Sequence, residues 1–366
     1  MSREMKNKVV SITMILLFLG ISLLCWLKPA DAFSDSERRK LEQFPKFSIE
    51  TLLSGRFMKD FEDYTLDQFP FREQFRQAKA IFASSALRQG DNNGIYVSEG
   101  YVSQMDAPLR EESVRYAAQR FQAIYEKYWK DTGSNMYVSV IPDKNYFMAE
   151  KSGHLSMDYE TLFQICQEEM KDGTYIDLTG LLSLEDYYKT DTHWRQECVT
   201  DVAETLLQAM GRTPTVSYEE QTLNQPFYGV YYGQAALPLP AEEIHYLTTD
   251  LFEHCRIYDH ENDREIGMYD LEKGHGKDPY ELFLSGSLSM ITIENPKGEE
   301  GKELVIFRDS FASSLTPLLA EGYQKITLLD IRYLHPDRLE QLMEIKDQDV
   351  LFLYSTMVLN HAETIK

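Results

Sequence analysis

Hydrophobic and polar positions follow three successive rhythms along the chain. Residues 9–27, VVSITMILLFLGISLLCWL, hold no charge over 19 positions, and a helix rising about 1.5 Å per residue over that run matches the hydrocarbon core of a bilayer. Arg3, Lys6 and Lys8 precede it, which keeps that flank cytoplasmic and carries the chain outward from about residue 29. The pattern predicts a signal anchor, a single-pass membrane helix, over 1–28. Ala30-Asp31-Ala32 has the small-x-small form of a cleavage site, but the apolar run exceeds an ordinary signal-peptide core, so an uncleaved anchor is expected.

The second rhythm, across 33–92, is charged and helical and is punctuated by Phe33, Phe44, Phe47, Phe57, Phe61, Phe69, Phe71, Phe75 and Phe82. It predicts a helical lead-in over 29–93 that packs its aromatics on the main body. The turn-rich QGDNNG at 89–94 ends it. From there short apolar segments alternate with helical ones. GIYV (94–97), MYVSVI (136–141), TYIDL (174–178), ELVIF (303–307), KITLLDI (325–331) and DVLFLY (349–354) read as strands. Residues 109–131, 158–171 and 195–210, and segments from about 311 and 337, read as helices. Strand and helix in alternation predict an α/β domain over 94–366 with a mostly parallel sheet whose strands are buried on both faces. The turn-rich block at about 213–300 reads as an insertion of loops and short strands near the site.

Composition narrows the function. At 43% apolar and 26% charged over 366 residues, the chain can bury one sizeable core. The net charge is −22. Arg3, Lys6, Lys8 and Lys28 against Glu4 make the first 28 residues positive, so the rest is more acidic still and repels nucleic acid and anionic lipid. No nucleic-acid partner is expected. Cys25 lies in the membrane segment, and Cys166, Cys198 and Cys255 follow at no recognisable metal spacing, so neither a disulfide framework nor a metal is expected.

Two short motifs carry chemistry. Ser310 follows the apolar strand ELVIF and precedes FASSLTPLLAEGY, a strand-to-helix turn of the kind where open α/β sheets place nucleophiles. There the backbone N–H groups of Ser310 and Phe311 would serve as oxyanion donors. Serine is also a preferred helix N-cap, which needs no chemistry. Asp191 and His193 sit two apart in KTDTHWRQE. In extended chain they share a face, where the carboxylate can hold the imidazole Nδ1 proton and leave Nε2 to accept one from serine. They could equally be a helix cap and a packing residue. Trp194 reads as pocket wall or core.

Together the D-x-H-W motif, the DSF motif of VIFRDSFASSL, FPFREQF at 69–75, NNGIYV and LLDIRYL at 328–334 resemble the DHHW family, which is similar to the SGNH-hydrolase-like periplasmic alginate O-acetyltransferase proteins. The likeness spans about residues 55–360. It implies a three-layer α/β/α domain with a triad in the order Asp191, His193, Ser310, permuted relative to ordinary SGNH hydrolases. The family's first histidine is Thr192 here. By the same resemblance, Arg332 falls where such proteins keep a basic residue after the next strand, where it would meet substrate or simply pair at a strand end. Gly233 would supply an oxyanion N–H. Tyr228, Tyr231 and Tyr232 would stack on sugar rings or pack. The implied activity is extracytoplasmic O-acetyl transfer to an exported or cell-surface polysaccharide, with no cofactor and with a membrane-bound O-acyltransferase partner supplying the acyl group. A carbohydrate acetylesterase and a non-catalytic glycan-binding assembly protein are the alternatives. The acidic surface favours a neutral or cationic glycan over an anionic one.

Overall fold

The computed structural model describes residues 2–366, which divide into two compact units. The first joins the residues up to Asn92 with the short segment Tyr232–Pro238. In it, α1 (Arg3–Leu27) starts at Ser2, whose hydroxyl accepts the Met5 N–H. The helix buries none of its side chains and is long and apolar enough to cross a membrane. Two amphipathic helices follow, α2 (Arg56–Asp67) and α3 (Arg72–Ile81).

Aromatics of this unit pack on one another. Phe44 meets Phe57, Phe61 and Tyr64 edge-on, and Phe47 meets Phe57, while Phe44, Phe47, Phe71, Phe75 and Phe82 stay exposed. Charge supplies the rest of the order. Arg39 grips the Asp67 carboxylate at 2.5 and 2.8 Å, and Arg72 and Arg76 close on Glu37 and Glu73.

The second unit holds Asn93–Tyr231 and Leu239–Lys366. Its sheet has eight strands: β1 (Asn135–Ile141), β2 (Gly173–Tyr175), β3 (Arg256–Asp259), β4 (Arg264–Ile266), β5 (Met290–Glu294), β6 (Glu303–Arg308), β7 (Lys325–Leu329) and β8 (Asp349–Ser355). Their spatial order is β4-β3-β5-β7-β6-β8-β1-β2. The five strands from β7 to β2 are parallel, and β5, β3 and β4 continue the sheet antiparallel.

Strand alternation sorts the core into two layers. Leu304, Ile306, Leu351 and Leu353 join one buried cluster with α7 (Thr200–Ala209) and α8 (Ala312–Leu319). Val305, Phe307, Val350 and Phe352 join the other with α4 (Glu111–Tyr128) and α6 (Tyr159–Glu169). The neighbours alternate face by face, which makes the three-layer α/β/α architecture.

Several boundaries move. GIYV forms no strand of the main sheet; Ile95–Ser98 pairs with Tyr101–Gln104 in a separate antiparallel hairpin, because the turn Glu99-Gly100, both with positive φ, folds it straight back. The 174–178 strand shortens to β2. The helix from 337 reduces to a 3₁₀ turn and one turn of α-helix, Leu339–Leu342. The 213–300 block, read as loops and short strands, supplies the hairpin Glu219–Phe227/Glu242–Thr248 and the short strands β3, β4 and β5. Those strands are three to five residues long, too short for a periodic signal to rise above the surrounding turns.

Candidate active site

Ser310 lies in the turn between β6 and α8, at the carboxyl ends of the parallel strands where a doubly wound sheet opens. Its Oγ is 2.7 Å from His193 Nε2, and His193 Nδ1 is 2.7 Å from Asp191 Oδ2. The Asp191–His193 pair and Ser310, with His193 and Ser310 117 positions apart in sequence, thus form one unbroken hydrogen-bond relay. Asp191 is fully buried while His193 keeps 12% of its side chain open to solvent, so the relay runs from interior to surface.

A tight loop presents the pair. Tyr187 and Trp194 face each other in an antiparallel bridge, the Tyr188 N–H donates to the His193 carbonyl and the Arg195 N–H to the Asp186 carbonyl. The second carboxylate oxygen of Asp191 accepts the Val230 N–H at 2.7 Å. Gly229 lies so close that a Cβ added there would fall 2.3 Å from the Asp191 backbone, so only glycine fits. The imidazole is also held flat: its ring stacks on Tyr280 with centroids 3.8 Å apart and planes 8° from parallel, and the Tyr280 hydroxyl meets the Ser314 hydroxyl at 2.8 Å.

Trp194 is core rather than pocket wall. It is fully buried and donates its indole N–H to Ser314 Oγ and to the Phe311 carbonyl, which ties the acid–base loop to the first turn of α8. Gln196 adds a second tie by donating to the Ser314 carbonyl at 2.7 Å.

The turn itself is braced by Asp309. This buried carboxylate accepts the Phe311 N–H at 3.0 Å and the Ser355 N–H at 2.7 Å. The Phe311 N–H read as an oxyanion donor is therefore committed inside the turn. Arg332 pairs two-pronged with Asp330, at 2.9 and 2.6 Å, so the strand-end reading describes its contacts. Gly233 and Tyr232 belong to the first unit. There a Cβ at Gly233 would collide with the Ser36 carbonyl, and the Gly233 carbonyl accepts from Arg76. Tyr228 is exposed and Tyr231 buried, with the Tyr231 hydroxyl against Thr192 and Met357.

One side chain beneath the loop carried no signal that spacing could reveal. Lys144, the first residue of α5 (Lys144–Ser152), is buried and donates to the carbonyls of Tyr188 and Lys189 at 2.9 and 3.1 Å. Its ammonium sits 5.0 Å from the Tyr231 ring centre. Burial pushes its pKa down to about 7 against the pull of Asp191, Glu242 and Asp143. The cue in the sequence was a lysine directly after a strand's carboxyl end, in IPDKNYF. Tyr280 offered none, because it comes from the turn-rich block.

A DHHW family protein from Eubacterium siraeum superposes on this chain with a TM-score of 0.60 at 19% identity, covering 75% of this chain and 95% of that one. PatB1 of Bacillus cereus superposes at 0.60 and 16% identity, covering 75% and 99%. A second PatB1 structure, with a sulfonyl adduct, gives 0.56 and 17%, covering 72% and 97%. No protein-family profile and no curated protein sequence matches the chain. At such identities the likeness establishes the fold alone, a three-layer α/β/α sandwich as the motifs implied.

Proposed function

We propose that this protein is an extracytoplasmic O-acetyltransferase that modifies an exported or cell-surface polysaccharide through an acyl-serine intermediate. The observation that carries the reading is the Asp191–His193–Ser310 relay, with both of its hydrogen bonds at 2.7 Å. His193 Nε2 takes the Ser310 proton as Oγ attacks the acetyl carbonyl, and returns it to the leaving group as the tetrahedral intermediate collapses. A sugar hydroxyl then gives its proton to His193, attacks the acetyl-serine ester and releases Ser310, which recovers the proton. Asp191 holds the imidazole tautomer throughout and stabilises the imidazolium. The Ser310 N–H, beside the positive end of α8, receives the developing oxyanion.

The donor reaches the outer face through a partner of the membrane-bound O-acyltransferase type, since acetyl-CoA is not available there, and α1 keeps the enzyme beside that partner. Hydrolysis uses the same three residues with water as acceptor, so the acceptor decides the activity. The test is incubation of the full chain in detergent with an aryl acetate, with and without oligosaccharides. Acetylated sugar supports transfer, whereas acetate alone makes the protein an esterase. Ser310→Ala is expected to lose ~10³-fold or more of the turnover. A sulfonyl fluoride should modify Ser310 and be blocked by prior acylation; a structure of the same fold has been solved with a sulfonyl adduct, and such reagents need an activated nucleophile. Undiminished turnover in Ser310→Ala would overturn the assignment.

A further inference from the structure

Helix α3 (Arg72–Ile81) is turned inside out for an element surrounded by water. Counting the residue on either side of it, Phe71, Phe75, Ala78 and Phe82 recur at the spacing of one helical face. All four are exposed, the three phenylalanines by 55–62%. The other side carries Arg72 and Arg76, whose side chains are only 18–20% exposed. They turn inward, Arg76 to Glu37 at 3.2 Å and Arg72 to Asp67 at 3.4 Å, and Ala80 and Ala83 beside them are buried. A helix on a water-soluble unit does the reverse, with its apolar stripe inward and its charges out. A contiguous exposed aromatic stripe marks a surface that something covers.

Two observations say what covers it. The first is continuity with α1. Asp31, four residues beyond the end of α1, donates its N–H to Gln68 Oε1 and accepts from Gln68 Nε2 through its carbonyl, both at 2.8 Å. Gln68 caps the end of α2, and Phe71 comes three residues later. The stripe therefore begins beside the point where the chain leaves the apolar span. The second is charge. Residues 29–92 hold ten Lys and Arg against eleven Asp and Glu, so nearly all of the net −22 falls on the residues beyond 92. The lead-in is thus the part of the chain after α1 that a lipid surface does not repel.

We propose that the Phe71, Phe75 and Phe82 face of α3 seats in the headgroup layer of the bilayer that α1 crosses, so that the chain meets the membrane through a spanning helix and an interfacial one. This rests on α1 acting as the anchor and is independent of the acyl-transfer chemistry. The rings lie at the boundary of headgroups and acyl chains, with the arginine ion pairs facing away. Such a contact is reversible and does not by itself resist alkaline carbonate, as a spanning helix does.

For the test, the full chain is reconstituted in phosphatidylcholine vesicles as Phe75→Trp in a Trp26→Phe background, where the remaining Trp129 and Trp194 are fully buried and give a constant signal. A phosphatidylcholine with a nitroxide near the top of its acyl chain is expected to quench the introduced tryptophan, and iodide in the buffer is expected to leave it bright. Phe82→Trp repeats the measurement at the far end of the stripe, so that one misfolded variant does not decide it. Tyr116→Trp, at an exposed position of α4, should respond to iodide and not to the lipid. Lipid quenching at positions 75 and 82 no stronger than at 116, or equal access of iodide to all three, would overturn the proposal. Shielding from iodide without lipid quenching would mean that a protein surface, such as a second copy, covers the stripe, and would overturn it as well. Trp26 of the unaltered chain lies exposed near the end of α1 and reports on the anchor. Lipid quenching of Trp26 but not of positions 75 and 82 removes the interfacial seat alone, whereas a Trp26 that lipid does not quench removes the anchor and the seat together.

Discussion

Asp309 fixes the turn that carries Ser310, the proposed nucleophile, by bracing backbone N–H groups. Its carboxylate closes the turn that presents Ser310 by taking the Phe311 N–H and ties that turn to the end of β8 through the Ser355 N–H. Asp309→Ala leaves two buried N–H groups unpaired, so the expected loss is about 2–4 kcal/mol of stability, seen as a lower urea midpoint, with slower acylation of Ser310 in the same protein. Lys144 acts on the other half of the relay. Its ordinary pKa is 10.5, and in the folded protein it is pushed down to about 7. Between those values the unfolded chain binds more protons than the folded one, so Lys144 makes stability rise with pH across that window and penalises the fold fully below it. The urea midpoint of the wild type should therefore climb between pH 7 and pH 9, and Lys144→Met should flatten the climb. An identical slope in the variant would remove Lys144 as the cause.

At the scale of elements, the site is an agreement between one loop and one strand–turn–helix unit, with Trp194 and Gln196 as fasteners. Gly229 sets how closely the neighbouring chain approaches Asp191. In Gly229→Ala the added methyl has to displace the Asp191 backbone, so turnover should fall about tenfold or more through misplacement of the base, while a sulfonyl fluoride still reaches Ser310 at a reduced rate. Much of this was legible beforehand, because β1, β6, β7 and β8 are largely apolar runs, Ser310 sits in a short motif at the end of β6, and Asp191 and His193 share a second short motif. What stayed hidden depends on contacts that no local pattern encodes. Tyr280 reaches the imidazole from a block whose strands are too short to announce themselves, and the Asp309 carboxylate, although visible in the DSF motif, reveals its brace only once β8 lies beside β6. Arg332 could be read as a substrate contact because spacing does not show that Asp330 already holds it.

On the scale of the whole molecule, α1 is, among the described residues, the one helix long and apolar enough to cross a membrane, and it buries no side chain, while the net negative charge of the remainder repels an anionic bilayer. Deleting residues 2–28 should move the protein from the carbonate-resistant membrane pellet to the soluble fraction; a deletion variant that stays in the pellet would show that other surfaces hold it there. The sheet order has a further consequence for how the fold closes. β8 is the last strand among the described residues, yet it is inserted at the centre of the parallel part of the sheet, between β6 and β1. The Asp191–His193 loop comes early in the chain and Ser310 later, and the two halves of the sheet cannot join until this final strand zips between them. On the proposed acyl-serine reading, the sequence order acts as a built-in delay that leaves Ser310 idle until the last-made strand is in place.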